Sequence, residues 1–355
     1  MLRTAKYWET MPEIKFTLIV VGILTIIVAA SITQVQSTIK SQIAYSSITQ
    51  MGIIFLEIAL GWHALALLHF AGNALLRTYQ LLVSPAVLNY LVHDQFYNYD
   101  PSEPVKTNLG FKKLRSTLYV LGIKEWNLDF FQYRYLWSPF KWIGKKSGFL
   151  GNRKALPFVL AIFLCGIGIH FFRDEWPPII PVFAAPVIAL TGFLLILSSF
   201  SNSGNAISAW VHVVMGQLFV LLSVMLSNTD FGYHFILLWG SGVFIASIAG
   251  FWCLWLIQKI DNDILLNRYH GYVYERPVIA VVFLLSCLAF AGFPITPTFV
   301  GVDLLFSHVD KQHIGLIVVV SLAFLFTELA LLRIYIRIFL GQHKKMTHAI
   351  AYKSS

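Results

Sequence analysis

Four polar side chains recur at helical spacing in the otherwise apolar stretch ALLHFAGNALLRTYQLL, residues 65–81. On an α-helix, residues four apart share a face, so His69, Asn73 and Arg77 line one stripe, and Gln80 lies on it as well. An arginine inside a membrane costs ~2.5–3.5 kcal/mol on insertion scales unless it faces a partner or water. The spacing therefore favours a polar track inside a helix bundle, in which a titratable histidine and a fixed cation handle protons. The alternative is an interfacial arginine anchor near the helix end, with a hydrogen-bonded histidine in the core.

The segment before this stretch is rich in hydroxyl and amide side chains. The polar residues of 33–52 include Lys40, Tyr45, Ser46, Ser47, Thr49 and Gln50. Hydroxyls inside a membrane helix bond to backbone carbonyls or to neighbouring helices, so this helix is not expected to face lipid on all sides. Lys40 is either an interfacial anchor at the helix start or a member of the polar interior. Because a short turn joins the two helices, we expect antiparallel packing, with the stripe on the second helix beside residues 45–50.

Composition indicates which class of protein must hold these side chains. The chain has 355 residues, of which 57% are apolar and 12% are charged, and its mean hydropathy is +0.70. Runs of about 20 apolar residues are long enough to cross ~30 Å of hydrocarbon. We therefore expect an all-α, polytopic transmembrane helical bundle of about nine or ten spans. The candidate spans are 16–34, 41–60, 63–83, 155–172, 177–200, 207–227, 232–258, 274–293 and 313–340, with a shorter tenth at 296–309.

Positive charge is concentrated in residues 84–154, which hold eleven of the 26 Lys and Arg residues against five acids. By the positive-inside rule this segment faces the cytoplasm. Its aromatic residues, mixed with Lys and Arg beside a span, are typical of a segment in the lipid headgroups, and they also suit a soluble cytoplasmic partner. No nucleic-acid partner is expected, since anionic lipid is already adjacent. Three domains are predicted: a first membrane bundle at 1–83, this basic cytoplasmic or interfacial segment, and a second membrane bundle at 155–355.

A discontinuous helix is predicted near residues 292–303. Pro294 and Pro297 cannot continue the hydrogen bonding of a helix, and the carbonyls that they free are tolerated at membrane depth where they line a cavity. Asp303 follows the break by one or two turns. An aspartate at that depth is a candidate proton carrier, or else a capping or packing residue near a loop.

The order of the polar residues is specific over residues 20–83. The sequence IKSQIAYSSITQMGIIFLEIALG, followed directly by LLHFAGNALLRTYQLLVSPAVL, resembles the antiporter-like subunits of respiratory complex I and of Mrp-type cation/proton antiporters, nearest to the NADH-quinone oxidoreductase subunit L, or chain 5, type. The residues that fall on the family pattern are Lys40, Tyr45, Ser46, Gln50, Gly52 and His69. Three positions depart from it: Thr38 replaces an acidic residue, Asn73 a histidine and Arg77 a lysine.

A second patch of sequence resembles later parts of the same family. ERPVIAVVFLLSCLAFAGFPITPTFVGVDLLF (275–306) resembles the family's helix break, and LLRIYIRIFLG (331–341) resembles its ending. Val302 stands where the family has a titratable residue, with Asp303 beside it. The resemblance implies the C-terminal part of such a subunit, carrying a large insertion, with another membrane subunit supplying the missing N-terminal half.

The resemblance implies proton movement within a multi-subunit ion-translocating complex. It assigns a proton path to Lys40, His69 and Asp303, with Arg77 acting electrostatically because a guanidinium does not deprotonate. The expected polar support is Tyr45, Ser46, Ser47, Gln50, Asn73 and Gln80.

Two alternatives remain: a membrane partner of an inorganic-carbon uptake system coupled to proton flow, and a non-conducting structural subunit. No catalytic site, cofactor or metal site is expected in the chain itself, although it could serve an NADH:quinone oxidoreductase-type enzyme. Its three cysteines, Cys165, Cys253 and Cys287, lie in predicted spans. The expected location is a bacterial cytoplasmic (inner) membrane.

Overall fold

The structure is a computed structural model that describes residues 2–36, 38–97, 109–151, 154–177, 179–201, 204–227, 233–261, 263–308 and 313–341. Within these ranges the regular secondary structure is helical, apart from one isolated β-bridge between Asn205 and Leu265. The predicted all-α, polytopic helical class is therefore confirmed. The chain divides into two compact units, residues 1–135 (unit 1) and residues 136–355 (unit 2).

Unit 1 is built around three consecutive helices. Its helices are α1 (Ala5–Trp8), α2 (Pro12–Thr33), α3 (Ile39–Ala59), α4 (His63–Tyr97), α5 (Leu109–Ile123) and α6 (Leu128–Phe131), with 3-10 turns at Leu2–Thr4 and Glu125–Asn127. Gly22 of α2 and Gly52 of α3 meet where these helices cross, so that a Cβ on either would lie 2.9 Å from the other's carbonyl oxygen. Trp8 packs with the apolar cluster of Ile58, Ala66 and their neighbours, where α3 ends and α4 begins.

Unit 2 contains the remaining helices. These are α7 (Ser138–Lys146), α8 (Leu156–Phe171), α9 (Ile179–Ser201), α10 (Ala206–Ser227), α11 (Tyr233–Asp261), α12 (Pro277–Phe290), α13 (Pro297–His308) and α14 (Ile314–Phe339). Short 3-10 turns lie at Ser147–Gly151 and Arg173–Glu175, and a π-helical turn at Gln132–Trp137 spans the boundary between the units. Helix α9 packs against α7, α10 and α14. Trp210 is fully buried at the centre, with its ring centroid 5.0 Å from that of Phe283 and 5.3 Å from that of Phe290.

Five helices in the described ranges are both long and apolar enough to cross a membrane: Pro12–Thr33, Ile179–Ser201, Ala206–Ser227, Leu237–Asp261 and Ile314–Phe339. The predicted spans at 155–172, 274–293 and 296–309 form apolar helices shorter than a full crossing. Helices α3 and α4, predicted as spans 41–60 and 63–83, are long enough but more polar, because their hydroxyl, amide and charged side chains lower the mean hydropathy.

The domain division differs from the three segments expected. The predicted boundary at 83–84 falls inside α4, which continues to Tyr97 through Pro85. The basic segment 84–154 contributes to both units, because α5 packs on α2 while α7 packs on α9. At Gly144, α7 approaches α9 so closely that a Cβ would meet the Leu197 carbonyl.

The predicted helix break is confirmed. Helix α12 ends at Phe290 and α13 begins at Pro297, with Gly292 at a φ of +68° in the turn between them. Pro297 frees the carbonyl of Phe293, which accepts hydrogen bonds from the Thr296 backbone N–H at 2.8 Å and from the Thr296 hydroxyl at 2.6 Å. The Thr298 hydroxyl donates to the carbonyl of Ala289. Hydroxyl side chains of the break thus bond to these two carbonyls, and the expectation that freed carbonyls line a cavity stays a prediction.

Candidate functional site

The polar stripe predicted on α4 faces α3. Leu75, on the opposite side of the helix, is 75% exposed, whereas Asn73 is 6% exposed and His69, Arg77 and Gln80 are half-buried. The 3.6-residue period of the helix is enough to place the polar residues on the side toward α3 and Leu75 on the exposed side. The predicted antiparallel packing of the stripe beside residues 45–50 is confirmed by the contacts that follow.

His69 lies at the centre of the site and joins two side chains of α3. Its Nδ1 is 2.8 Å from Glu57 Oε1, and its Nε2 is 2.8 Å from Gln50 Oε1. Residues 50 and 57 are seven apart, or two helical turns, so both side chains project from α3 on the face toward α4.

This arrangement accommodates two protonation states of the imidazole. A protonated His69 donates to both oxygens, Glu57 Oε1 and Gln50 Oε1. A neutral His69 donates to Glu57 through Nδ1–H and accepts at Nε2 from the Gln50 amide, once that amide turns by 180°. Both hydrogen bonds are therefore kept in either state, as a group that takes up and releases protons requires.

Glu57 is a carboxyl group in apolar surroundings. The residue is 9% exposed, and its Oε2 is buried with no hydrogen-bond partner among the described residues. Ile54 and Ile58, beside it on α3, are buried. A buried carboxylate is costly unless it is paired, so the bond to His69 stabilises Glu57, while Oε2 remains available to a proton or a water molecule.

The track continues along α4 toward the end of the site near Lys40. Asn73 Nδ2 donates to Ser47 Oγ at 3.2 Å. Arg77 donates through Nε to Asn73 Oδ1 at 3.1 Å and through Nη1 to Gln80 Oε1 at 2.6 Å. Two neutral amides thus hold a permanent positive charge at this end of the track.

Three of the predicted residues on α3 lie apart from this hydrogen-bonded track. Lys40 is exposed at the second residue of α3, and Ser46 is half-buried. Tyr45 hydrogen-bonds to Glu125, which also accepts from Gln36 Nε2 at 3.1 Å. These contacts therefore join the 3-10 turn at Glu125–Asn127 to α3 and to the connection between α2 and α3.

The remaining predicted site residues belong to unit 2. Asp303 is exposed on α13, Pro297 is the first residue of that helix, and Pro294 lies in the turn before it. The structure describes no group of three or more His, Cys, Asp or Glu side chains that could hold a metal ion within its described ranges.

Sequence reasoning missed Glu57. The residue stands in the apolar run IIFLEIAL, whose hydrophobicity predicts a membrane span. The signal was available, because Ser47, Gln50 and Glu57 are spaced at three and seven residues and share a helix face. An acidic residue inside a predicted span is by default a candidate functional group.

Fold and site together define a polytopic helical membrane protein with a buried polar track between two antiparallel helices. Residues 1–96 match the family described as NADH:quinone oxidoreductase/Mrp antiporter, TM. The matched residues include α1, α2, α3 and nearly all of α4, and with them the whole track. The antiporter-like resemblance seen in the sequence is confirmed by this match.

Several known proteins are similar to parts of the chain. It is 32% identical over 90 residues to the Probable inorganic carbon transporter subunit DabB2 of Halothiobacillus neapolitanus, covering 25% of this chain and 16% of the relative. It is 31% identical over 93 residues to NADH-quinone oxidoreductase subunit L of Rhodobacter capsulatus, covering 26% and 13%. It is 24% identical over 187 residues to NADH-quinone oxidoreductase subunit N of Desulforamulus reducens, covering 52% and 38%. The chain thus spans well under half the length of these relatives. No solved structure matches it.

Proposed function

We propose that this chain is a proton-conducting, antiporter-like membrane subunit of a multi-subunit ion-translocating complex of the complex I/Mrp type. The observation that carries the proposal is the Glu57–His69–Gln50 cluster, which lies within the residues that match the antiporter family. Ionisable groups inside membrane segments are expensive and mark ion or proton pathways.

In the proposed mechanism, Glu57 and His69 share a proton across their 2.8 Å hydrogen bond. The pair exists either as carboxylate and imidazolium or as carboxyl and imidazole. The Gln50 amide turns to match the ring, so that His69 exchanges a proton without losing its second hydrogen bond.

Arg77 gives the track its electrostatic asymmetry. It lies eight residues after His69, or about 12 Å along the helix axis. Its fixed positive charge repels a proton that moves along the track toward it, and so directs transfer toward the Glu57 end of the track. Lys40 and Asp303, both exposed, stay in the proposal as groups that exchange protons outside the track.

Proton flux driven by a membrane potential tests the proposal. Proteoliposomes would contain the complex that co-purifies with a tagged copy of this chain, and a pH-sensitive dye would report the flux. His69→Ala is expected to abolish flux with abundance unchanged, and Glu57→Gln to lower it by at least about tenfold, since proton transfer loses its carrier.

Glu13→Gln is the matched control, because it makes the same chemical change at an exposed site on α2. Its flux should equal that of the unmodified complex. Wild-type flux in both the His69 and the Glu57 variants would overturn the proposal and favour a non-conducting structural subunit.

A second candidate is a membrane partner of an inorganic-carbon uptake system coupled to proton flow. The similarity to an inorganic carbon transporter subunit favours it. The proteins that co-purify in mild detergent separate the two: further antiporter-like membrane subunits support the first, whereas a soluble partner and a growth requirement for added bicarbonate after deletion support the second.

We further propose that α7 lies among the lipid headgroups at the cytoplasmic face of a bacterial inner membrane. Trp142 is 59% exposed, and Lys146 Nζ lies 4.0 Å from its ring centroid. Lys145 is exposed beside them, while Gly144 packs inward. Exposed tryptophan and lysine beside apolar spans are typical of the interface with anionic lipid.

Labelling of an introduced cysteine tests this location. Lys145→Cys should resist a membrane-impermeant thiol reagent in intact cells and react in inverted vesicles. Cys165 is exposed, so the variant is made together with Cys165→Ser to remove background labelling. The reverse labelling pattern would place α7 on the opposite side.

A further inference from the structure

A second carboxylate–imidazole pair lies where α3 turns into α4. His63 Nε2 is 3.0 Å from Glu9 Oε1, and their side chains are 36% and 38% exposed. His63 is the first residue of α4, and Glu9 follows α1 directly. Both side chains are therefore more exposed than those of the inner pair, in which His69 is 23% and Glu57 12% exposed.

The two nitrogens of His63 face different surroundings. Nε2 meets Glu9 at the surface, whereas Nδ1 is buried and has no hydrogen-bond partner in the described part of the chain. Glu57 Oε2, at the same end of α3, is also buried and lacks a partner there. The turn is short, since the Trp62 backbone N–H donates to the Glu57 carbonyl at 2.9 Å.

We infer that Glu9 and His63 form the port through which the Glu57–His69 relay exchanges protons with water. The inference rests on the proposed function of that relay. An imidazole with one nitrogen at the surface and the other facing the interior can accept a proton on one side and release one on the other.

The proposed transfer is balanced at His63. A proton from water or from the Glu9 carboxyl group binds Nε2, which converts the ring to an imidazolium. The N–H bond at Nδ1 then breaks, and that proton passes inward, directly or through water, to Glu57 Oε2. His63 is neutral again with its remaining proton on Nε2, and a 180° rotation of the ring turns that N–H inward and the bare Nδ1 toward Glu9, where the next proton binds.

Flux through the co-purified complex in proteoliposomes tests the port. His63→Ala is expected to lower flux about tenfold or more, because a proton carrier is removed. Glu9→Gln keeps the shape of the pair but cannot supply a proton, and it should lower flux less, since water still reaches His63. Glu13→Gln, at the exposed site on α2, is again the matched control.

Chemical rescue separates a proton carrier from a structural contact. Added imidazole should restore flux in His63→Ala, where it can occupy the vacated space, and should not restore it in His63→Phe, where a ring without nitrogen fills that space. The same imidazole concentration with the Glu57→Gln complex measures proton leakage carried by imidazole itself.

Each outcome decides the inference. Loss of flux in His63→Ala with rescue by imidazole supports the port. Loss without rescue, or unchanged flux while Glu57→Gln and His69→Ala are inactive, overturns the port and leaves the relay standing. Unchanged flux in Glu57→Gln and His69→Ala would remove the proposed function, and the port with it.

Discussion

The α2–α3 pair of unit 1 and the α9–α10 pair of unit 2 cross in the same way but bury different chemistry. Gly22 and Gly52 meet in the first pair, and Gly192 and Gly216 in the second, with Cβ-to-oxygen approaches of 2.9 Å and 2.8 Å. Close approach of two backbones through small residues is a general device for packing membrane helices.

Away from the glycine crossing, the two pairs bury side chains of different kinds. Helix α3 turns Gln50 and Glu57 toward His69. Helix α10 buries Trp210 and Phe219, and its buried polar contact with α14 is the neutral bond from Gln217 Nε2 to Thr327 Oγ1 at 2.6 Å. The comparison teaches that a glycine crossing packs both pairs. Helix α3 adds a carboxylate bonded to an imidazole, the pair that we propose works on protons, whereas the buried ionisable residue of α10 is the histidine His212.

The largest effect on stability is expected in the apolar pair. Trp210→Ala should lower the free energy of unfolding by ~3–5 kcal/mol, because it empties a fully buried site. Thermal unfolding in mild detergent measures the loss. Phe244→Ala, at a 66% exposed position on α11, is the control and should cost far less. Equal losses would show that the Trp210 site is not a packed core.

In both pairs, a larger side chain at the glycine crossing should lower the stability of the protein. Gly216→Val and Gly52→Val should each destabilise the protein by ~1–3 kcal/mol, since the added atoms meet the opposite backbone. Gly168→Val on α8 is the control, because a Cβ there meets nothing within 4 Å. A tolerated valine at one crossing only would end the parallel between the pairs.

On α4, which packs against α3 of the polar pair, charge at Arg77 should matter for flux. Arg77→Ala should lower flux about tenfold, or ~1.4 kcal/mol in the barrier. Arg77→Lys should be milder, because the positive charge matters more than the planar fork. Arg134→Ala, at an exposed arginine, is the control. The electrostatic role is wrong if the lysine variant is as impaired as the alanine variant.

The smallest effect is expected on the exposed side of α4, away from α3. Gly72→Ala should raise stability by up to ~1 kcal/mol, because alanine favours the helix and its Cβ meets nothing within 4 Å. Flux should stay unchanged. A drop in flux would mean that both sides of α4, and not the stripe alone, contribute to conduction.

Contacts between helices that follow one another directly in the sequence could be predicted best. Helical periodicity was enough to place His69, Asn73, Arg77 and Gln80 on one face and to direct that face to α3, because these contacts depend on spacing and on one short turn. The break at Pro294 and Pro297 follows equally from local chemistry.

Longer-range features could not be predicted in the same way. Position 85 lies inside α4 although a proline stands there, so local rules placed the end of this helix too early. Glu57 lies among apolar residues, so the hydrophobic pattern alone gave no sign of its role. Glu9 and His63 are 54 residues apart in the sequence, and their contact depends on how α1 packs. Tertiary contacts of this kind carry no periodic signal in a single sequence.

A double-mutant cycle on Glu57 and His69 tests the central claim most directly. Flux is measured for the co-purified complex with Glu57→Gln, with His69→Gln and with both changes together, at matched abundance. Groups that act as one relay are not additive, so each single variant should lose nearly as much flux as the double variant. Losses that multiply independently, or flux that survives in the double variant, would contradict a proton relay between α3 and α4.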